Sequence, residues 1–167
     1  MRKPTFPAFL ALSAALAAAP LAACSDGLEP VPFQGVSGRV DYQSAPPAAR
    51  TDWVRLAVYL ELPQDQLDLL DFVTFSDTLP TAGDGSPYAV ALEPGDYAFL
   101  VVVWKEAGND NLLTALRAAG WHSAGGGPFE MPVPIAVTAD SETADVDLAA
   151  DFANMLTIQE VLDLLNP

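Results

Sequence analysis

The chain has 167 residues, of which 22 are acidic, seven basic and one histidine, for a formal net charge of −15. That sign excludes nucleic acid as a partner, because counterion release needs a basic surface. It also excludes charge-driven docking on anionic lipid, and a lone cysteine, Cys24, rules out a disulfide framework within the chain.

Arg2 and Lys3 open the chain, and Phe6 to Ala19 is apolar and rich in Ala and Leu, the composition of a secretory h-region. A membrane-spanning helix needs about 20 strongly apolar residues. Here Ala dominates, Pro7 and Pro20 interrupt, and acids follow where a stop-transfer segment would carry bases. Residues 1–23 therefore read as a signal peptide. Leu21-Ala22-Ala23-Cys24 resembles the lipobox of bacterial lipoproteins. The resemblance implies cleavage before Cys24 and acylation of that residue, with the membrane as a partner through the lipid anchor. It places the protein in the cell envelope, at the outer membrane or cell surface. Two or three acyl chains on one residue anchor stably, where a single chain would be marginal.

Removal of residues 1–23 leaves 144 residues that carry all 22 acids and five bases (Arg39, Arg50, Arg55, Lys105, Arg117), a charge of −17. With no second cysteine the exported part is stabilised by its core alone, and its length suffices for one such core. An acid excess of this kind suits a saline habitat, a calcium-loaded surface or plain solubility.

Ser25 to Gln34, with Pro30 and Pro32, has no periodicity and reads with Cys24 as a tether. Folded structure is expected from Gly35 to residue 153. Val36 to Tyr42 alternates as a first strand, and Trp53 to Leu60 is rich in β-branched and aromatic residues, as a second. Gln64 to Asp71 is a short helical turn, and Phe72 to Ser76 a third strand. Tyr88 to Leu92 and Tyr97 to Trp104 then read as a hairpin about Pro94-Gly95, with Gly95 at the positive φ of a type II turn. Both faces of Tyr97–Trp104 are apolar, which predicts the most buried strand of the protein. Asn109-Asp110-Asn111 caps a short helix carrying Leu112, Leu113 and Leu116 with Gly120 as its stop, inside an otherwise irregular stretch from Lys105 to Met131. Val133 to Val137 is a strand that lies at an edge or begins beyond Pro134. Asp145 to Phe152 alternates acid-out and apolar-in. Thr157-Ile-Gln-Glu160 matches a capping box and opens a C-terminal helix within residues 154–167. That helix is expected to cover the second apolar face of Tyr97–Trp104. Short strands separated by Pro/Gly turns define an all-β fold, an antiparallel β-sandwich of about seven strands.

Val36 to Val40 with Gly38, then Tyr88-x-Val-x-Leu92 with Pro94-Gly95-x-Tyr97, and the closing strand Val146–Phe152 resemble a prealbumin-like domain, the transthyretin-type sandwich also found as the carboxypeptidase regulatory-like domain. The resemblance spans Val36 to Phe152. It implies a structural, adhesive or scaffolding role for an envelope module and brings no catalytic residues with it. The long Lys105–Met131 stretch and the C-terminal helix depart from that pattern.

Chemistry-bearing residues are few. His122 is the only histidine, and its neighbour Ser123 cannot face it as a triad requires. No enzyme activity is expected, and no zinc set exists. Gly125-Gly126-Gly127 lacks the Lys-Ser/Thr of a phosphate loop. Trp121 and His122, set before these glycines, are the candidates for contact with a glycan or another envelope partner. Trp53 and Trp104 are assigned to the core. Asp145, Asp147 and Asp151 on one strand face are the candidate metal ligands, and calcium is the cofactor their oxygens would suit.

A charge of −17 on so small a domain opposes compaction at low ionic strength. The melting temperature is expected to rise with NaCl over the range in which the Debye length falls from ~30 to ~3 Å. A flat calorimetric response would show that the carboxylates are spaced too widely to repel.

Overall fold

The computed structural model describes residues 33–167. The expected signal peptide, Cys24 and the expected tether as far as Pro32 lie outside the described residues. The first strands are β1 (Gly35–Ser44), β2 (Thr51–Tyr59) and the two-residue β3 (Thr74–Phe75). Next come β4 (Gly85–Ala91), β5 (Gly95–Tyr97) and β6 (Phe99–Glu106). A one-turn helix, α1 (Leu112–Ala115), precedes β7 (Leu116–Trp121) and β8 (Ile135–Val137). The order ends with β9 (Glu142–Thr143), β10 (Leu148–Asp151) and helix α2 (Ile158–Leu165).

These elements form an all-β sandwich. One sheet has the order β10–β1–β4, with β9 beside the start of β1, and the other runs β3–β2–β6–β7. A separate pair joins β5 to β8. The expected antiparallel pairing fails at one edge, where β9 and β10 both run parallel to β1. The chain regains the starting end of β1 before it runs alongside, so its direction there is that of β1. Between β9 and β10 it leaves the ladder: Asp145 takes φ +59°, and the Val146 amide donates to the Ser37 carbonyl at 3.0 Å. Gly38 makes this crossing feasible, since a Cβ on it would lie 2.2 Å from the Val146 carbonyl oxygen.

Apolar alternation builds the core between the sheets. Val36 and Val40 of β1, Tyr88 and Val90 of β4, and Leu148 and Ala150 of β10 meet Val54, Leu56 and Val58 of β2 and Leu100, Val102 and Trp104 of β6. A second core lies on the outer face of the β2–β6–β7 sheet, where Tyr59, Phe99, Val101, Ala118 and Trp121 pack with Val161 of α2. Every residue from Phe99 to Trp104 is buried, as the two apolar faces of that segment require. Helix α2 starts with a complete capping box: the Thr157 hydroxyl accepts from the Glu160 amide, and the Glu160 carboxylate accepts from the Thr157 amide at 2.7 Å.

Two expectations are corrected. Tyr88–Leu92 and Tyr97–Trp104 do not form a hairpin, because β4 pairs with β1 while β6 pairs with β2 and β7 in the opposite sheet. A strand apolar on both faces belongs at the centre of its sheet, flanked on both sides, and the chain crosses the sandwich at residues 92–98 to bring it there. Pro94 lies in a bend of that crossing, but Gly95 begins β5 and is not among the residues with positive φ. The left-handed conformation falls instead on glycines such as Gly126 (φ +74°), in the loop after β7.

The second correction concerns Leu116 to Trp121, which is a strand on β6 where a helix ending at Gly120, followed by irregular chain, was expected. Asn111 caps α1, its side chain accepting from the Leu113 amide, but the helix ends after one turn. Small residues then win the edge position. Ala118 and Ala119 are buried there, and the missing Cβ of Gly120 admits the Ala149 carbonyl, which would lie 2.1 Å from it. Gly120 is therefore a close-approach residue that lets β7 meet β10 and close that side of the sandwich. Pro134 behaves as expected, with β8 beginning just beyond it.

Gly120→Ala is expected to lower stability by about 2 kcal/mol, the order of an overpacked core site. Gly95→Ala, where an added Cβ meets nothing within 4 Å, should change it by no more than ~0.5 kcal/mol. Urea midpoints of the two variants separate this arrangement from one pivoting on Gly95.

Candidate functional site

The residues singled out from the sequence are not brought together. Trp121 is 1 % exposed, its indole N–H donating to the Glu130 carbonyl and its ring packed 5.5 Å from Phe99 and 5.3 Å from Phe129. It belongs to the second core, which removes it from ligand contact. Trp104 is buried as expected. Trp53 is only partly buried, and the Arg55 guanidinium lies 5.3 Å over its ring. His122 is half-buried, with its Nδ1 3.4 Å from the Asp147 carbonyl oxygen. Ser123 turns away from it and donates to the Gly127 carbonyl at 2.8 Å, so no nucleophile and base face each other there.

The three strand aspartates are likewise separated in their contacts. Asp147 accepts from the Arg39 amide at 2.8 Å. Asp151 accepts from Ser44 and Asn154 side chains at 2.7 and 2.6 Å and from the Ala153 amide. These bonds, that from Asn154 foremost and then that from Ser44, hold the Asp151 carboxyl below its usual range. The positive φ at Asp145 breaks the alternation that would have aligned it with the other two. Among the described residues no group of three or more His, Cys, Asp or Glu side chains is placed to hold a metal.

What the fold does assemble is a pair of neighbouring clefts at the end of the sandwich where the chain enters β1. The larger, about 740 Å³, lies between the end of β4 and the start of β3, with Phe33, Leu60, Val73, Leu92 and Pro94 among its walls. The smaller, about 530 Å³, lies under the 60–73 connection and shares Leu60 and Val73 with the first. Each is held by hydrogen bonds through its frame. The Gln34 side chain donates to the Leu92 carbonyl at 2.9 Å and accepts from the Asp140 amide, tying the entry segment to two loops. The Tyr97 hydroxyl donates to the Glu93 carbonyl at 2.8 Å and closes the bend around Pro94. The Tyr59 hydroxyl donates to the Leu69 carbonyl at 2.8 Å, and burial raises its pKa.

Three apolar side chains on these walls face solvent: Phe33 is 37 % exposed, Val73 46 % and Leu60 57 %. The charged residues lining the clefts are Glu61, Asp68, Asp71 and Glu93, and no basic side chain joins them. None of the four belongs to an ion pair among the described residues, where Arg39, Arg50 and Lys105 pair with Asp41, Asp84, Glu106 and Asp52. Asp68 alone is committed locally, accepting from the Gln64 and Asp65 amides. Sequence reading missed this site because its walls come from four separated segments. Leu60 was the available signal: an apolar residue placed after the last paired position of β2 and before Glu61. No protein-family model, curated protein or solved structure matches this chain.

Trp121→Ala is expected to destabilise the domain by about 3–5 kcal/mol, as deletion of a buried aromatic does. Thermal melts of this variant beside His122→Ala, which should change little, test the reassignment of Trp121 from ligand contact to core.

Proposed function

We propose that this chain is a lipid-anchored module of a bacterial envelope, prealbumin-like in fold, that binds a partner through the end of its sandwich nearest the anchor and performs no catalysis. The observation that carries the reading is the position of the paired clefts. Phe33 lines the larger one and lies nine residues beyond Cys24 in the sequence. Nine extended residues reach no further than about 30 Å. An acylated Cys24 would therefore keep this end of the domain close to the membrane and whatever is embedded there. The Ser123 hydroxyl is bonded to the Gly127 carbonyl and not to His122, which supports a binding role over hydrolysis at this pair. The solvent-facing Phe33, Leu60 and Val73 favour contact with a macromolecule over a purely spacing role.

The anchor is tested by metabolic labelling with a fatty-acid analogue. The parent should incorporate the label and Cys24→Ala should not, remaining unprocessed or soluble. Equal labelling of the two would remove Cys24 as the attachment site.

A further inference from the structure

Resting on the reading of this end as a binding surface, we propose that the two clefts receive a cationic, amphipathic polypeptide segment of a partner protein. Its apolar side chains would pack over Leu60 and Val73, and its Lys or Arg side chains would meet Glu61, Asp71 and Glu93.

Two independent features select that chemistry. The first is apolar: Leu60 and Val73 form a ridge shared by both clefts, and Phe33 extends it on the side of the larger one. Aliphatic side chains left half-exposed on a strand end and the following loop gain from burial, at about 25 cal/mol for each Å² removed from water. The second is charge. Glu61, Asp71 and Glu93 are exposed and without ion-pair partners among the described residues, while the four ion pairs there use bases placed elsewhere. Arg50 precedes β2 and Lys105 lies near the end of β6, both at the opposite end of their sheet from Leu60. The linings of the clefts thus combine exposed apolar side chains with carboxylates and hold no basic side chain. An anionic segment is repelled there, and a neutral apolar one leaves the carboxylates unmatched. Anionic bilayer surface is excluded for the same reason, although the proposed anchor holds this end near a membrane. A segment with apolar residues on one side and bases flanking them satisfies both features, the mode by which amphipathic helices enter apolar grooves.

The test uses the purified processed protein and a synthetic peptide carrying Leu at helical i, i+3, i+4 spacing with Lys between them. Its counterpart with Glu in place of Lys serves as comparison. Binding is followed by isothermal titration at physiological ionic strength. The Lys peptide should bind and the Glu peptide should not. Leu60→Asn, at an exposed position, should weaken binding about tenfold. Glu93→Lys should weaken the Lys peptide by a similar factor, whereas Asp110→Lys, the same change of charge on the far side of β6, should have little effect. Equal weakening by Glu93→Lys and Asp110→Lys would show that bulk charge, not this site, attracts the peptide, and would overturn the proposal. So would an unchanged affinity in Leu60→Asn, or co-sedimentation with zwitterionic vesicles that depends on Leu60 and is indifferent to the peptide. The titration does not require an acylated Cys24. A failed labelling experiment therefore removes the anchor alone, and a failed titration removes this occupant alone.

Discussion

The arrangement of this protein depends on one strand that cannot tolerate water on either face. From Phe99 to Trp104 every side chain is buried, with Leu100, Val102 and Trp104 pointing into one core and Phe99, Val101 and Val103 into another. Burial of an aliphatic or aromatic side chain contributes about 1.5–3 kcal/mol, so exposing either row would cost several kcal/mol. Two covers are therefore needed. The β10–β1–β4 sheet supplies the first. The second is assembled from pieces that have little stability alone: the 60–75 segment, the loop after β7, and a helix of eight residues. A helix that short is marginal in water, and its Ile158, Val161 and Leu162 become ordered by packing. Folding of the C-terminus is in this sense a consequence of β6.

The same requirement decides how the sandwich is open and closed. Flanking β6 with β2 and β7 puts β7 at the sheet edge, where Gly120 lets it approach β10 to backbone contact. The segment after β10 then adds a bridge, with Ala118 and Leu156 exchanging backbone hydrogen bonds at 2.9 and 2.8 Å. On the other side no such closure exists among the described residues. There β3 is only two residues long, β4 pairs on one side with β1, and the connection between them spans the gap. The larger cleft occupies that open side at the end where the crossing 92–98 leaves β4. An opening of this kind is what remains when one edge of a sandwich is sealed by close backbone approach and the other by a loop.

How far the sequence could be read follows the same physics. β1 was legible from side-chain alternation, β2 from its β-branched and aromatic content, and β6 as a short run apolar on both faces. The capping box at Thr157 and Glu160 was legible because both partners lie within one turn. Pairing was not. Pro94-Gly95 is a good turn dipeptide, and nothing in Tyr88–Trp104 states that its halves belong to opposite sheets. That information resides in Val54, Leu56 and Val58, which must lie beside β6 for the core to close. Leu116–Ala119 was misread as helix for a related reason. Helix propensity favours Leu, Arg and Ala, but tertiary contact with β6 and β10 outweighs a preference of a few tenths of a kcal/mol per residue. Trp121 looked exposed because glycines follow it, yet those glycines let the loop fold back so that Phe129 and the Glu130 carbonyl can cover its ring.

The distribution of charge gives the open end its character. With 22 acids and five bases in residues 24–167, most carboxylates have no cation to meet. The described ion pairs gather along β1 and at the far end of the β2–β6–β7 sheet, and they leave the cleft end uniformly negative. Glu61 lines the smaller cleft and Glu93 the larger, and Leu60 lies on the wall of both. A segment of opposite charge laid over Leu60 would meet carboxylates on both sides while covering the apolar ridge. Burial of the ridge and pairing of the carboxylates then act in the same direction.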